Sequence, residues 1–559
     1  MTKNVLLSTT VSLVALQLGS RLFSFGLNQL LVRSTSPQAF GVATIQFDTL
    51  RDTVLFLLRE GIRGAVVRTR TDSGSRQISI RSHKIPILLS PLVPLIFFSF
   101  YYFTSSSSDS PSYFTALSFY TISTVIELWS EPYYLETLSS WETLTSTRVK
   151  IEGLAVIAKA LSTLVALQVL QPSRALEAYG LGQIAYSLAL CIGLGYALSC
   201  RKNKQSISSS AVNSGAKLLD GRQYDSEIKR VGWALTKQSL VKQVLTEGDK
   251  LAVSRFGKVE DLGSYAVALN YGSLVARIIF QPLEESSRLY FSSLSSTTND
   301  TTSPQKCLSS LSSIASHLSL VLTFYTHFSL LLIFLVPSYV SPLLTLLLGS
   351  KWSSTASSTL IAYVYSLPFL ALNGVLEAGV QSFADEKWMK RGSYWMGVCT
   401  LGFAGTIHWT MGRGGEQGWG SKGLILGNCV NMAMRIGFSG VFLYTYFRDQ
   451  LEAIRQGRSK RQDENKEEEE KMESKIWGDL NPKKWMPSIG TIGAFWLGGR
   501  ICRESEKRWI SVTTSLAREG IAGKGAMLKT LGAHLGIGAV VGVCCLLVMY
   551  VFLLIGTFS

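Results

Sequence analysis

The sequence predicts an all-α polytopic membrane protein, and three observations carry that prediction. Hydrophobic residues make up 47% of the chain and charged residues only 16%, against about 25% charged in soluble domains. The mean hydropathy is +0.24. Many apolar runs reach the roughly 20 residues that a helix needs to cross a bilayer.

Run length gives about fourteen spans. The first six lie near 5–32, 40–62, 85–104, 113–137, 149–170 and 177–199, and the next six near 233–256, 262–292, 313–336, 357–382, 391–411 and 421–446. Two more follow near 486–502 and 533–557. The first run has no small-residue cleavage site and is long enough to span, so it is not expected to be a cleaved signal. The organisation expected is an N-lobe over 1–200, a basic cytosolic loop at 201–232, a C-lobe over 233–446, a charged cytosolic linker at 447–485 and two additional spans over 486–559. Within the linker, DENKEEEEKMESK reads as a solvated helix or a disordered segment.

A net charge of +16 invites a nucleic-acid reading, but the bases cluster in alternate loops, as membrane topology requires. Loops after the second, sixth and twelfth spans are basic, whereas TSSSSDSPS after the third has no Lys or Arg. The positive-inside rule therefore places the even-numbered loops and both termini in the cytosol. The basic stretch 503–530 dissents, since it falls on the luminal side. Eight cysteines show no metal spacing and five histidines form no HExxH, so no metal, cofactor or disulfide framework is expected. No Walker A motif is present, so the chain is no ATP-driven pump by itself.

Two neighbouring spans carry charge where lipid-facing helices carry none. Gln243, Glu247 and Lys250 share one face of the seventh; Arg277, Gln281, Glu284 and Arg288 share one face of the eighth, with Glu285 beside them. A charge at bilayer depth costs about 2.5–3.5 kcal/mol on insertion scales, so it faces a cavity or a partner. Pro282 removes a helical hydrogen bond and should kink the eighth span. The same residues at a helix end would be interface anchors, and Glu247 with Lys250 a plain ion pair. Two adjacent stripes favour a polar path.

The core also repeats itself. Span two runs from Phe40-Gly41 to Glu60-Gly61-Ile62-Arg63, and span eight from Leu262-Gly263 to Glu285-Ser286-Ser287-Arg288. Span four carries Val125-Ile126-Glu127 and span ten Val375-Leu376-Glu377. A constant six-span offset preserves direction through the membrane, so the expected architecture is two pseudo-symmetric six-helix lobes in parallel repeat. A cavity with Arg21, Arg33, Glu60, Arg63, Glu127, Glu131, Glu247, Lys250, Arg277, Glu285, Glu377 and Arg435 near it would hold both signs of charge. Guanidinium groups in it suit an anionic phosphate head. For Arg33 and Glu131 an anchoring role at the interface is at least as well supported.

Three stretches carry a family resemblance: Leu57-Leu58-Arg59-Glu60-Gly61-Ile62-Arg63; Leu245-Thr246-Glu247-Gly248-Asp249 with the segment from Gly272 to Ser286; and Leu372-Asn373-Gly374-Val375-Leu376-Glu377 with Gly427-Asn428-Cys429-Val430-Asn431-Met432. Together they resemble the eukaryotic oligosaccharide-lipid translocation family of the endoplasmic reticulum, within the multidrug/oligosaccharidyl-lipid/polysaccharide exporter superfamily. The resemblance covers residues 5–446 well and the last two spans loosely, and Gly61 stands where relatives have larger residues. It implies a non-enzyme that moves the pentamannosyl-chitobiosyl-diphosphodolichol intermediate from the cytosolic to the luminal leaflet for N-glycan assembly. It further implies importance for Arg63, Glu284 and Glu285, and for Asn428, Asn431 and Arg435; Asn373 falls in its third stretch. A lipid-binding scaffold that does not translocate is the alternative. An amphiphile exporter fits the three stretches less well. A dolichol-dependent glycosyltransferase needs acids in its first luminal loop, and Arg33–Ala39 has none. Expected partners are the dolichol-linked oligosaccharide and membrane lipids, with no nucleic acid.

The topology places Asn299-Asp300-Thr301, an N-x-S/T sequon, on the cytosolic side. Endoglycosidase treatment of the cell-expressed protein is expected to leave its gel mobility unchanged; a glycan at Asn299 would overturn the topology.

Overall fold

The computed structural model describes residues 26–68, 85–104, 111–139, 141–208, 232–233, 236, 250, 259–298, 304–412, 419–458, 466–518 and 524–558. Those residues are helical throughout, apart from short turns, and no strand occurs among them. The chain divides into two compact units, Met1–Ala266 and Val267–Ser559. Of the loop expected at 201–232, residues 209–231 lie outside the described residues, while 201–208 continue the helix Ala175–Ser208.

Seven described helices are long and apolar enough to cross a membrane: Ile85–Phe103, Lys150–Val169, Pro172–Ser199, Gln305–Phe334, Ser350–Phe383, Gly420–Gln456 and Lys529–Val551. Each coincides with an expected span, so the chain is a helical multi-pass membrane protein. Other expected spans miss that criterion, among them the helices that carry Arg59, Glu127 and Arg288.

In the first unit, Ser36 opens the charged rod. Its hydroxyl accepts from the Ala39 amide at 3.2 Å and Pro37 occupies the first helical position, a favoured helix start. Helix Pro37–Gly41 passes through a π-helical turn, Val42–Phe47, into α1, Asp48–Arg68. α2 (Leu92–Thr104), α3 (Pro111–Trp129) and α4 (Glu131–Ser139) follow, then α5 (Trp141–Val169) and α6 (Ala175–Ser208). Expected span four is thus two helices with Ser130 between them. Pro132 lacks the amide that would bond the Leu128 carbonyl, so the α-helical ladder stops there. Phe47 is fully buried between Tyr113 and Tyr120, with ring centroids 5.1 Å from each. α5 and α6 approach closely because a Cβ on Gly182 would strike Thr163 and the Lys159 carbonyl. Unit one also contains the start of α7, Val259–Val275. There Gly41 lies against the backbone of Leu262 and Gly263, and Gly263 against that of Pro37. These are the two glycines that mark the starts of the sequence repeat.

In the second unit, a π-helical turn at Ala276–Phe280 follows the α-helical part of α7 and leads into α8, Gln281–Thr298. The Gln281 amide bonds the Ala276 carbonyl, five residues back instead of four. The kink expected at Pro282 is therefore delivered as an inserted residue in the turn before it. α9 (Pro304–Phe334), α10 (Pro337–Leu348) and α11 (Ser350–Phe383) come next. α10 occupies what the sequence suggested was a loop. Gly349, at φ +96°, separates α10 from α11, a conformation open mainly to glycine. α12 (Glu386–Gly412) and α13 (Gly420–Arg458) complete the core.

The charged linker departs from expectation. α14, Lys466–Leu480, is a docked helix whose Ile476 and Asp479 are buried. Asp479 accepts from the Ser316 hydroxyl at 2.5 Å and pairs with Lys484, while Glu473 pairs with Arg455 at 2.5 Å. Its acidic first turn is exposed, as a solvated helix requires. α15, Ile489–Arg518, runs through most of the stretch expected as the basic loop 503–530, and α16 spans Lys524–Phe558. Leu330, Leu335, Phe495, Cys502 and Cys545 bury one another and tie α9, the α9–α10 link, α15 and α16 together.

The Gly41–Gly263 crossing admits no side chain, so Gly41→Ala should lose about 1–3 kcal/mol in thermal unfolding of the purified protein. Gly195→Ala, which meets nothing within 4 Å, should stay within about 0.5 kcal/mol. Equal behaviour would refute the close crossing.

Candidate functional site

Membrane-embedded charge in the first unit forms a ladder. Arg51, Arg59 and Arg63 lie eight and four residues apart on α1, along one side of the helix. Glu127 and Glu131 stand four apart across the α3–α4 break. Arg51 grips Glu127 with two nitrogens at 2.7 and 2.9 Å, and also meets Asp52 at 2.6 Å. Arg59 bridges the carboxylates: Nη1 donates to Glu127 at 2.9 Å, and Nε lies 2.7 Å from Glu131, as an ion pair off hydrogen-bond alignment. Arg63 closes the series on Glu131 with Nε at 2.6 Å and Nη2 at 2.8 Å. Its guanidinium also covers the Tyr134 ring at 3.8 Å.

The helix break supplies one further acceptor. The Glu127 carbonyl takes the Ser130 hydroxyl at 2.7 Å and Arg59 Nη2 at 2.7 Å. It also accepts the Ser130 amide at 3.2 Å, so the turn and Arg59 share it. Three guanidinium charges thus face three carboxylates, Glu127, Glu131 and Asp52. Glu127 and Glu131 are both buried, whereas the Arg63 side chain keeps 27% of its surface exposed.

The second unit holds a looser version of the same design. Arg435 on α13 pairs with Glu377 on α11. Asn373 and Gln381 donate to Glu377 at 3.3 and 3.4 Å from one turn either side. Arg288 on α8 donates to Gln381 at 3.2 Å. Glu284 lies against Gly374 and within electrostatic reach of Glu377, Arg288 and Arg435. The parallel with the first unit is residue for residue: Arg63 meets the residue four beyond Glu127, and Arg288 meets the residue four beyond Glu377. At the position matching Arg59, however, the second unit has Glu284. Arg435 supplies the cation instead, and both partners remain part-exposed, at 28% and 31% of their side chains.

Several sequence expectations need correction. Glu60 is exposed and takes no part in the ladder; one residue turns the chain by about 100°, and Arg59 faces the carboxylates. Arg277, Gln281, Glu284 and Arg288 do not form one stripe. The π-helical turn adds a residue between the first and last, so the helical spacing fails there. Glu284 and Arg288 join the network. Arg277 is exposed, bonded to Ser273 Oγ at 3.0 Å and the Asn270 carbonyl at 3.2 Å on its own helix, and Gln281 and Glu285 are exposed too. Asn428 and Asn431 lie half-buried at helical spacing before Arg435. Lys250 is half-buried and within electrostatic reach of Asp52. Arg21 and Glu247 lie outside the described residues, as does the Asn299 sequon. Sequence reasoning missed Arg51 and Arg59 and set Glu131 aside. Their signal was the i, i+8, i+12 run of arginines opposite an i, i+4 pair of acids. Among the described residues no cluster of His, Cys, Asp and Glu could hold a metal ion.

Removing one partner from a buried ion pair costs about 3–5 kcal/mol, because the remaining charge is stranded. Glu131→Gln, which leaves Arg63 without its carboxylate and Arg59 with Glu127 alone, is expected to destabilise by that order in detergent unfolding. Glu60→Gln should shift stability by less than about 0.5 kcal/mol.

Comparison with known proteins places this arrangement in a family. The family model described as Rft protein matches residues 6–552. A relative from Schizosaccharomyces pombe, named as a Man(5)GlcNAc(2)-PP-dolichol translocation protein, is 33% identical over 78% of this chain and 82% of its own length. Relatives bearing that name from Saccharomyces cerevisiae and Dictyostelium discoideum are each 29% identical, over 78% and 76% of this chain and 81% and 83% of their own. Among solved structures, an inward-facing multidrug resistance transporter of the MATE family aligns with a TM-score of 0.49 and 12% identity, over 78% of this chain and 96% of that one. The membrane-spanning chain that carries the two arginine–carboxylate networks is a member of the Rft protein family.

Proposed function

We propose that this protein is a flippase that moves pentamannosyl-chitobiosyl-diphosphodolichol from the cytosolic to the luminal leaflet of the endoplasmic reticulum membrane. Both termini lie in the cytosol, and the two lobes open alternately. The reading is supported by family membership and by the translocation role in the relatives' names. The observation that carries it is geometric. Each unit holds a buried or half-buried carboxylate whose arginine is still reachable: Arg63 on Glu131, and Arg435 on Glu377.

A diphosphate offers acceptor geometry that competes with a carboxylate for the same fork of N–H donors. Arg63 can therefore trade Glu131 for a phosphate oxygen, while Arg59 continues to neutralise the released carboxylate. Arg435 has the same option, and Asn373 and Gln381 hold Glu377 when it leaves. Such an exchange never leaves a charge bare, which is the condition for moving a phosphorylated head across a low-dielectric layer. The dolichol tail remains in lipid.

The test is flipping of a labelled heptasaccharide lipid by the purified chain in vesicles. Wild-type protein should accelerate it. Arg63→Ala and Arg435→Ala should each slow it about tenfold, the value of one charge-assisted hydrogen bond. In cells relying on the variant, Arg63→Ala and Glu285→Lys should impair N-glycosylation while membrane insertion persists. Tight binding without movement by wild-type protein would overturn the flippase reading in favour of a lipid-holding scaffold.

A further inference from the structure

The outer face of α15 carries a pattern that the transport reading does not use. Ile489, Ile492, Trp496, Arg500, Arg503 and Lys507 recur at three- and four-residue steps, so they form one stripe along the helix. All six are exposed. The opposite face is the packed one, with Thr491, Phe495, Cys502 and Trp509 buried. Along the stripe the chemistry changes once. It is aliphatic at Ile489 and Ile492, amphipathic at Trp496 and cationic from Arg500 onward.

That order matches the depth profile of a membrane: hydrocarbon, then the aromatic belt, then the phosphate layer. The apolar part, Ile489 to Gly499, rises about 17 Å at 1.5 Å per residue. The hydrocarbon core is roughly 30 Å thick. The apolar part of the stripe is thus about half a hydrocarbon core long. Arg500 sits over the Trp496 ring at 5.5 Å, fixing the cation above the aromatic anchor. Lys507 has Glu504 at 3.5 Å, and Arg503 feels Glu506; both acids flank the stripe without entering it. Over 500–508 four bases stand against two acids.

We propose that Arg500, Arg503 and Lys507 form a binding site for the phosphate headgroup of an anionic phospholipid, with Trp496 and Ile492 against its acyl chains. The site anchors the C-terminal hairpin, α15 with α16, to an acidic lipid surface. It also accounts for the basic character of 503–530, which the loop count leaves on the wrong side.

The full chain in micelles doped with fluorescent phosphatidylglycerol tests this. Wild-type protein should bind that lipid in preference to phosphatidylcholine, and added salt should weaken the binding. Each surface base contributes roughly fivefold, so Arg500→Gln/Arg503→Gln/Lys507→Gln should weaken it on the order of a hundredfold. Lys387→Gln/Lys390→Gln/Arg391→Gln removes the same formal charge from α12 and should leave it unchanged. Equal binding by all three proteins, equal loss in both variants, or no preference for the anionic lipid would each overturn the proposal. Photo-crosslinking of wild-type protein to a headgroup-reactive phosphatidylglycerol gives an independent readout. Label should fall between Trp496 and Arg508, and label confined to other segments would sink the site even if the triple variant failed to fold.

Discussion

Two carboxylates that water cannot reach set the terms for the first unit. Glu127 and Glu131 are buried in a helical membrane protein, and an ionised carboxylate there is tolerated only if cations and donors replace its hydration shell. Three arginines on α1 do so. The requirement propagates outward. The arginines must lie on one side of α1, the acids must sit one turn apart, and the acidic strip must have a carbonyl to spare. Ser130 ends α3 between the two acids, and the Glu127 carbonyl there accepts the Ser130 amide and hydroxyl together with Arg59 Nη2. A helix break that looks like a defect is what lets Arg59 reach both a carboxylate and a main-chain oxygen.

The second unit solves the same problem with less redundancy. It keeps an arginine on the residue four positions past its acid, Arg288 on Gln381, but has an amide there in place of a carboxylate. It also has an acid, Glu284, where the first unit has Arg59. Charge balance then depends on a cation from another helix, Arg435. The first network is a closed zipper in which every guanidinium has a carboxylate. The second is an open chain of alternating charge and amide. On the proposed function, that difference makes the first unit the rigid holder and the second the more readily rearranged partner in handling a diphosphate.

Much of this is legible in the sequence, and the remainder is hidden for an identifiable reason. Fold class, the positions of seven spans and the sequence equivalence of Glu127 and Glu377 follow from run length and repetition, which depend on one residue at a time. The arginine–carboxylate pairing depends on rotation about helix axes. Phase is lost wherever a π-helical turn inserts a residue, as at Ala276–Phe280, and a reading that assumes a constant 3.6 residues per turn assigns Arg277 and Gln281 to the wrong face. Choosing Glu60 over Arg59 is a phase error of one residue. α10 lies in what run length leaves as a loop; Pro337 opens the helix, and Pro342 is accommodated in its interior. α14 reads as solvent-bound from its run of glutamates, although its last turns carry Ile476, Trp477 and Asp479 inward or across to Tyr444.

The glycine crossing connects these themes. Gly41 and Gly263 begin the two helices that carry the repeat, and they touch each other within one unit. The ladders stand about five to seven turns further along each helix, at Arg59–Arg63 and Glu284–Arg288, beyond a π-helical turn in each case. Each helix thus has a start fixed by backbone-to-backbone packing, a middle turn whose inserted residue sets the rotation of the C-terminal half, and a charged end whose partners depend on that rotation. A small change of winding in the middle is enough to change which arginine meets which carboxylate, while the glycine crossing stays where it is.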